Sequence, residues 1–237
     1  MVVISQRPHI SLDLTRLHQH TLNRLQRDLV GQSEPVAEAM RALQQERWDY
    51  IVSTIREKWH CEELLKSLFE LYIENGEHLL FLALDNVSLF KKRGIFEKAI
   101  VRAHTTAAYG AIPYWEYRVA LDFADKDKLR LAGDPVPDRP MFSLYRGVCE
   151  PHDAAARGVC WTLNSGIASW FAHMHATYRN GTNPAVFEVS VPKDRIMFCT
   201  NDRQEEEFVI TLTNKDNPQK LRRLPKPHKP FSEKPLS

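Results

Sequence analysis

Leu144-Tyr145-Arg146-Gly147 closes an apolar run that begins at Met141, and the stretch reads as a β-strand that delivers an arginine at its end. Downstream, Gly158-Val159-Cys160-Trp161-Thr162 reads as a second, shorter strand, and Ile167 to Tyr178 as a helix that follows it. Ala185-Val186-Phe187-Glu188-Val189-Ser190-Val191 alternates as a strand closed by Pro192. Then the cluster Gln204-Glu205-Glu206-Glu207 runs straight into Phe208-Val209-Ile210, the start of a strand expected over 208–212.

Upstream of these strands the pattern changes. Gly133-Asp134-Pro135-Val136-Pro137-Asp138-Arg139-Pro140 has the turn chemistry of a loop, and Tyr114 to Phe123 reads as a further strand. From Glu34 to about Gly110 the period is helical. Ser33 is placed to cap a helix with Pro35 in its first turn. Val36, Met40, Leu43, Ile51, Ile55 and Trp59 recur at mostly three- or four-residue steps, as one stripe for core packing. Leu64, Leu65, Leu68, Phe69, Tyr72 and Ile73 continue it to a stop at Asn75-Gly76, and a further helix runs from Phe96 to Gly110. The fold class is therefore α+β. Its expected parts are an α-helical region over 1–112, a β-rich domain over 113–214 and a basic, proline-rich tail over 215–237 that is extended and mobile.

Composition supports a packed core, with 43% hydrophobic and 10% aromatic residues in 237. The formal charge of +2 divides unevenly. Seven Lys/Arg against Asp216 and Glu233 make the tail +5, which leaves −3 for the rest of the chain. Met1-Val2-Val3-Ile4-Ser5-Gln6-Arg7 holds no apolar run of the roughly 7–15 residues a secretory signal uses. The longest apolar stretch, Leu79 to Leu84, is far short of the ~20 residues of a membrane span. Cys61, Cys149, Cys160 and Cys199 are scattered, as suits reduced thiols. These features lead to the expectation of a cytoplasmic protein without membrane contact.

Breaking a glycosidic bond through a cationic sugar calls for a fixed carboxylate, and a diphosphate calls for a fixed guanidinium. All nine glycines are isolated and no G-x-G-x-x-G or phosphate-loop lysine motif exists, so a glycine-rich nucleotide loop is excluded. The order Tyr145-Arg146-Gly147, Cys160-Trp161-Thr162, Glu205-x-Glu207 resembles the arginine–serine–glutamate class of ADP-ribosyltransferases, the cholera-toxin-like and clostridial enzymes, over about the last 40% of the chain.

The resemblance implies a core of two small, mostly antiparallel sheets and NAD as the ADP-ribose donor, with no metal. It gives Arg146, Gly147, Tyr145, Trp161 and Thr162 to NAD binding, with Glu207 as the catalytic carboxylate and Glu205 orienting the acceptor. Cys160 stands where the family usually has a serine, which makes Thr162, or Ser165, the hydroxyl that steadies the glutamate. The other register, Gln204-x-Glu206, leaves an extra carboxylate before the strand. The implied reaction is transfer of ADP-ribose to a macromolecule, a protein arginine or RNA/DNA. The implied setting is a bacterial toxin of a toxin–antitoxin or antiviral defence system, with an antitoxin protein as partner.

Two other chemistries are weaker in the residues themselves. Cys149-x-x-His152 and His173-x-His175 offer zinc-type ligands, but the two helical histidines point to opposite sides and no Cys-x-x-Cys exists. No local signature supports a Cys/His nucleophile. The basic tail, with Lys220-Leu221-Arg222-Arg223 and Lys226-Pro227-His228-Lys229, suits phosphates on RNA or DNA. The rival class is a non-catalytic interaction protein on a degenerate transferase fold, and Cys160 is the feature that favours it.

Overall fold

The computed structural model describes residues 3–7, 10–58, 76–107, 112, 114–178, 181–202 and 204–230. The fold is α+β, and the chain forms two units, Met1–Phe123 and Ala124–Ser237.

The first unit opens with an antiparallel pair, β1 (Val3–Arg7) and β2 (Ile10–Asp13). Helices follow: α1 (Thr15–Asp28), α2 (Glu34–Lys58), α3 (Gly76–Asp85), α4 (Val87–Lys92), α5 (Phe96–Thr106) and α6 (Tyr114–Phe123). The helical expectation from Glu34 onward holds for the described residues, while Ile55, Trp59 and Leu64 to Ile73 lie outside those whose side chains are described. The buried stripe of α2 is a different one from that read in the sequence. Ala37, Trp48 and Ile51 are buried, whereas Val36 and Leu43 are 44% and 68% exposed.

Tyr114–Phe123 is a helix and not a strand. Its aromatic and β-branched residues suggested β-structure, yet the residues it buries are Glu116, Tyr117, Ala120 and Leu121, a helical spacing. Tyr114, Trp115, Val119 and Phe123 lie on its exposed side. The first unit therefore runs to Phe123, past the boundary expected at 112.

In the second unit, α7 (Lys126–Ala132) is capped by Asp125, whose carboxylate accepts from the amides of Asp127 and Lys128. Six strands then build one antiparallel sheet: β3 (Met141–Val148), β4 (Cys160–Thr162), β5 (Ala185–Pro192), β6 (Ile196–Thr200), β7 (Glu207–Ile210) and β8 (Gln219–Lys220). Their order is β6-β7-β4-β3-β5-β8. One sheet thus replaces the two small sheets expected for this region. Between β3 and β4 lies the short α8 (Asp153–Ala156), and α9 (Ser165–Tyr178) follows β4.

The two faces of the sheet differ. Phe142, Leu144, Val148, Trp161, Phe187, Val189, Val191, Phe208 and Ile210 alternate onto one face and form the apolar core. The opposite face receives α9, whose Ala168 and Ala172 pack with Val186 and Tyr145. Gly147 permits this approach, because a Cβ there would overlap the carbonyl oxygen of Ala168 and lie 2.6 Å from the amide of Ala172.

The tail is extended as expected but docked rather than loose. β8 pairs with the edge of β5, and Leu221 donates to the Val186 carbonyl. Farther on, Ser169 donates to the Pro225 carbonyl and the amide of His228 to the Gly166 carbonyl. Among the described residues no helix is long and apolar enough to cross a membrane.

Candidate functional site

Antiparallel register lines up a single row of side chains across the second unit's sheet. Tyr145 on β3 is opposite Thr162 on β4, Thr162 is opposite Glu207 on β7, and Glu207 is opposite Thr200 on β6. On the other side Tyr145 is opposite Glu188 of β5. Residues directly paired across antiparallel strands share a face, so the row Glu188-Tyr145-Thr162-Glu207-Thr200 lies on the face that α9 partly covers. Three strands that are remote in sequence therefore become neighbours, β3-β4-β7, and carry three of the residues singled out above.

The row is braced at several points. The Thr162 hydroxyl donates to the Glu205 carbonyl at 2.8 Å and accepts from the Asn164 amide at 3.1 Å. Asn164 caps α9, its side-chain oxygen accepting from Gly166 and Ile167. Cys160, two residues before Thr162 and on the same face, brings its Sγ within 4.8 Å of a Glu207 carboxylate oxygen. The Tyr145 pKa is raised, first by burial and then by the charge and hydrogen bonding of Glu188 across the strand pair.

The turn before β7 sets the direction of each carboxylate. Gln204 and Glu206 both have left-handed φ, 56° and 46°, a conformation costly for residues with a Cβ. Asn201 holds the turn by its carbonyl to the Gln204 amide and by its side-chain oxygen to the Glu206 amide. Alternate residues therefore face opposite ways: Gln204 and Glu206 are exposed, Glu205 is 3% exposed and Glu207 is half-buried. The two glutamate registers of the sequence thus separate by burial, and Glu207 is the carboxylate set into the sheet. Glu205 is turned inward and braces Thr162 through its main chain, which is not the open position an acceptor-orienting group needs.

Arg146 and Trp161 fall on the other face. The Arg146 side chain passes over Gly158 and donates to the carbonyls of Ala155 at 2.9 Å and Cys160 at 2.7 Å. Its guanidinium thereby ties α8 to β4 inside the unit. Trp161 is 2% exposed in the apolar core, with its Nε1 donating to the Gly158 carbonyl. The first is a brace and the second a core residue because strand alternation turns both away from Glu207. Gly147 shares the face of Glu207, where the space of its missing side chain is taken by α9.

Glu188 was not singled out by sequence reading. The signal was the polar residue between Phe187 and Val189, but only the register with Tyr145 gives it a partner. Glu188 and Glu207 are three strand spacings apart, ~14 Å between backbones, too far for the paired carboxylates of a glycoside hydrolase. Cys199 is no nucleophile: burial, with the nearby Asp134 charge, pushes its thiol up to about 11, and its Sγ donates to the Asp134 carbonyl.

Comparison with family models, with curated proteins and with solved structures gives no match in any of the three.

Proposed function

We propose that this chain is a mono-ADP-ribosyltransferase that moves ADP-ribose from NAD to a macromolecular acceptor and releases nicotinamide. The observation that carries this reading is the adjacency β3-β4-β7, which sets Tyr145, Thr162 and Glu207 in one transverse row with the Cys160 thiol against the glutamate. Glu207 supplies the negative charge. As the bond between nicotinamide and ribose breaks, positive charge grows on the sugar, and a half-buried carboxylate stabilises it more than an exposed one would. Thr162 acts on the glutamate turn through the Glu205 carbonyl and so fixes where Glu207 sits. Of the NAD-binding candidates, Tyr145 and Thr162 remain on this face, while Gly147 is covered there by α9. A bacterial toxin or phage-defence role with an antitoxin partner belongs to this reading.

A second reading is favoured by one observation. Arg146, the residue expected to hold the diphosphate, already serves two main-chain carbonyls. A transferase fold that had lost NAD and kept only a binding role would look like this.

Measuring nicotinamide release from NAD separates the two. Wild type should release it, and Glu207→Gln, which keeps shape and removes charge, should slow release by ~10²-fold or more. No release by the wild-type protein sinks the transferase reading. Full activity in Glu207→Gln with loss in Glu206→Gln moves catalysis to the exposed register.

A further inference from the structure

The tail is a strongly charged segment that the site above does not use. From Asn217 to Pro230 it contains Lys220, Arg222, Arg223, Lys226 and Lys229, and no acidic residue interrupts them. All five cations are exposed. A tail serving only solubility needs no fixed course, yet this one is anchored along its length. Gln219 pairs with Glu188, at the end of the row that holds Tyr145, Thr162 and Glu207. Leu221 inserts beside Ala168, Ala172 and Val186. Pro225 and His228 are hydrogen-bonded to Ser169 and Gly166 in the first turns of α9, and Pro230 is buried. The strap thus runs from the β5 edge of the row to the start of α9, next to the Asn164 that bonds Thr162.

We infer that this docked strap binds the backbone of a single-stranded nucleic acid and that this strand is the acceptor presented to the Glu207 row. The acceptor half rests on the transferase reading; the binding half does not. Charge complementarity names the partner. Five cations spread over at most ~30 Å of extended chain suit a linear polyanion with a charge at each unit. Pro218, Pro225, Pro227 and Pro230 restrict the unbound chain, so less ordering is left to be done on binding. No Phe, Tyr or Trp is interleaved between Asn217 and Pro230, so contact is chiefly to phosphates, with little dependence on base sequence.

The test uses the full chain and a fluorescent single-stranded RNA of about 12 nucleotides, read by anisotropy across roughly 50 to 200 mM salt. Each single-strand phosphate contact adds ~0.7 to the log–log salt slope, so wild type should approach ~3.5. Changing all five cations to Gln should remove most of that slope and weaken binding at least ~10-fold. Arg222→Gln with Arg223→Gln, both on exposed bends, should lower the slope by ~1.4 and guards against a misfolded five-site variant. Equal affinity and slope in the double and five-site variants overturns the inference, as does tighter wild-type binding to polyglutamate than to RNA. With NAD added, ADP-ribose should appear on the RNA; appearance only on an added arginine-containing protein overturns the acceptor half. Absence of any nicotinamide release overturns the transferase reading instead, and anisotropy still decides the strap.

Discussion

The two units bury polar groups for different ends. In the helical unit, Arg16 on α1 reaches Asp85 at 2.9 Å and Glu116 at 3.2 Å, and its guanidinium lies 5.0 Å from the Phe81 ring. Asn86 there donates twice and accepts once, joining the end of β2 to α3. These groups are consumed in holding helices together. In the sheet unit, Arg146 and Trp161 do the same work on the core face, but the opposite face lines up Glu188, Tyr145, Thr162 and Glu207 next to a turn with two left-handed residues. Backbone strain beside a half-buried carboxylate is a feature that clusters at functional sites, whereas a satisfied brace is not. Polarity and burial alone would have ranked Arg16 and Arg146 as highly as Glu207.

The largest expected contrast between the units is at glycine. Gly147→Ala puts a methyl into the backbone of α9 at Ala168 and Ala172, which cannot yield as a flexible side chain would. It should destabilise the sheet unit by ~3 kcal/mol or more. Gly94→Ala in the helical unit meets nothing within 4 Å and suffers only from a φ of +65°, so ~1 kcal/mol is expected. Urea unfolding of the two variants checks the ratio. Equal losses would mean that α9 does not lie as tightly on β3 as the structure has it.

Arg146→Lys comes next and sharpens the distinction between brace and ligand. A lysine cannot serve the Ala155 and Cys160 carbonyls together, so one half-buried acceptor loses its partner, costing ~1–2 kcal/mol. The sequence pattern alone predicts weaker NAD binding with the fold intact. An unchanged unfolding midpoint with weakened NAD affinity by calorimetry would return Arg146 to the diphosphate.

What could be read in advance follows the range of the interactions. β3 and β5 were legible because one face is apolar: Phe142, Leu144 and Val148, then Phe187, Val189 and Val191, keep a period of two. β6 was not, since all five of its residues from Ile196 to Thr200 are buried and it has no alternation to show. α6 misled because Tyr114, Trp115 and Phe123 face outward and its buried side includes Glu116. In the site, Tyr145, Thr162 and Glu207 could be ordered along the chain, but which face each occupied depended on pairing between remote strands. One residue of register decides it: Arg146 and Trp161, expected at NAD, lie on the face turned away from Glu207. The docked tail escaped because it is anchored through its own main chain, to the Val186 and Gly166 carbonyls and the Ser169 hydroxyl, which side-chain patterning does not reveal.

The smallest effect is an opposite response of the two units to acid. In the helical unit, burial raises the pKa of Asp85 and Glu116, despite the Arg16 charge that lowers them. Their folded values stand above their unfolded ones, so their contribution is full below the unfolded values and is lost as pH rises through the folded ones. In the sheet unit, burial pushes Asp216 up, but bonds from the Thr213 amide and hydroxyl and the charges of Arg195 and Arg157 outweigh it, so its pKa is lowered. Its contribution is full above the unfolded value and is lost as pH falls through the folded one. Glu116→Gln imitates the protonated acid and should match wild type near pH 3, then gain on it as pH rises past the unfolded range, ~4.3. Asp216→Asn should also match wild type at low pH but lose to it as pH rises, because it gives up the Arg195 pair at 2.5 Å. Unfolding free energies of both variants against wild type, taken across that range, should diverge in opposite directions. Divergence of the same sign would show that Glu116, like Asp216, is stabilised as the anion, and that the Arg16 brace is stronger than its burial.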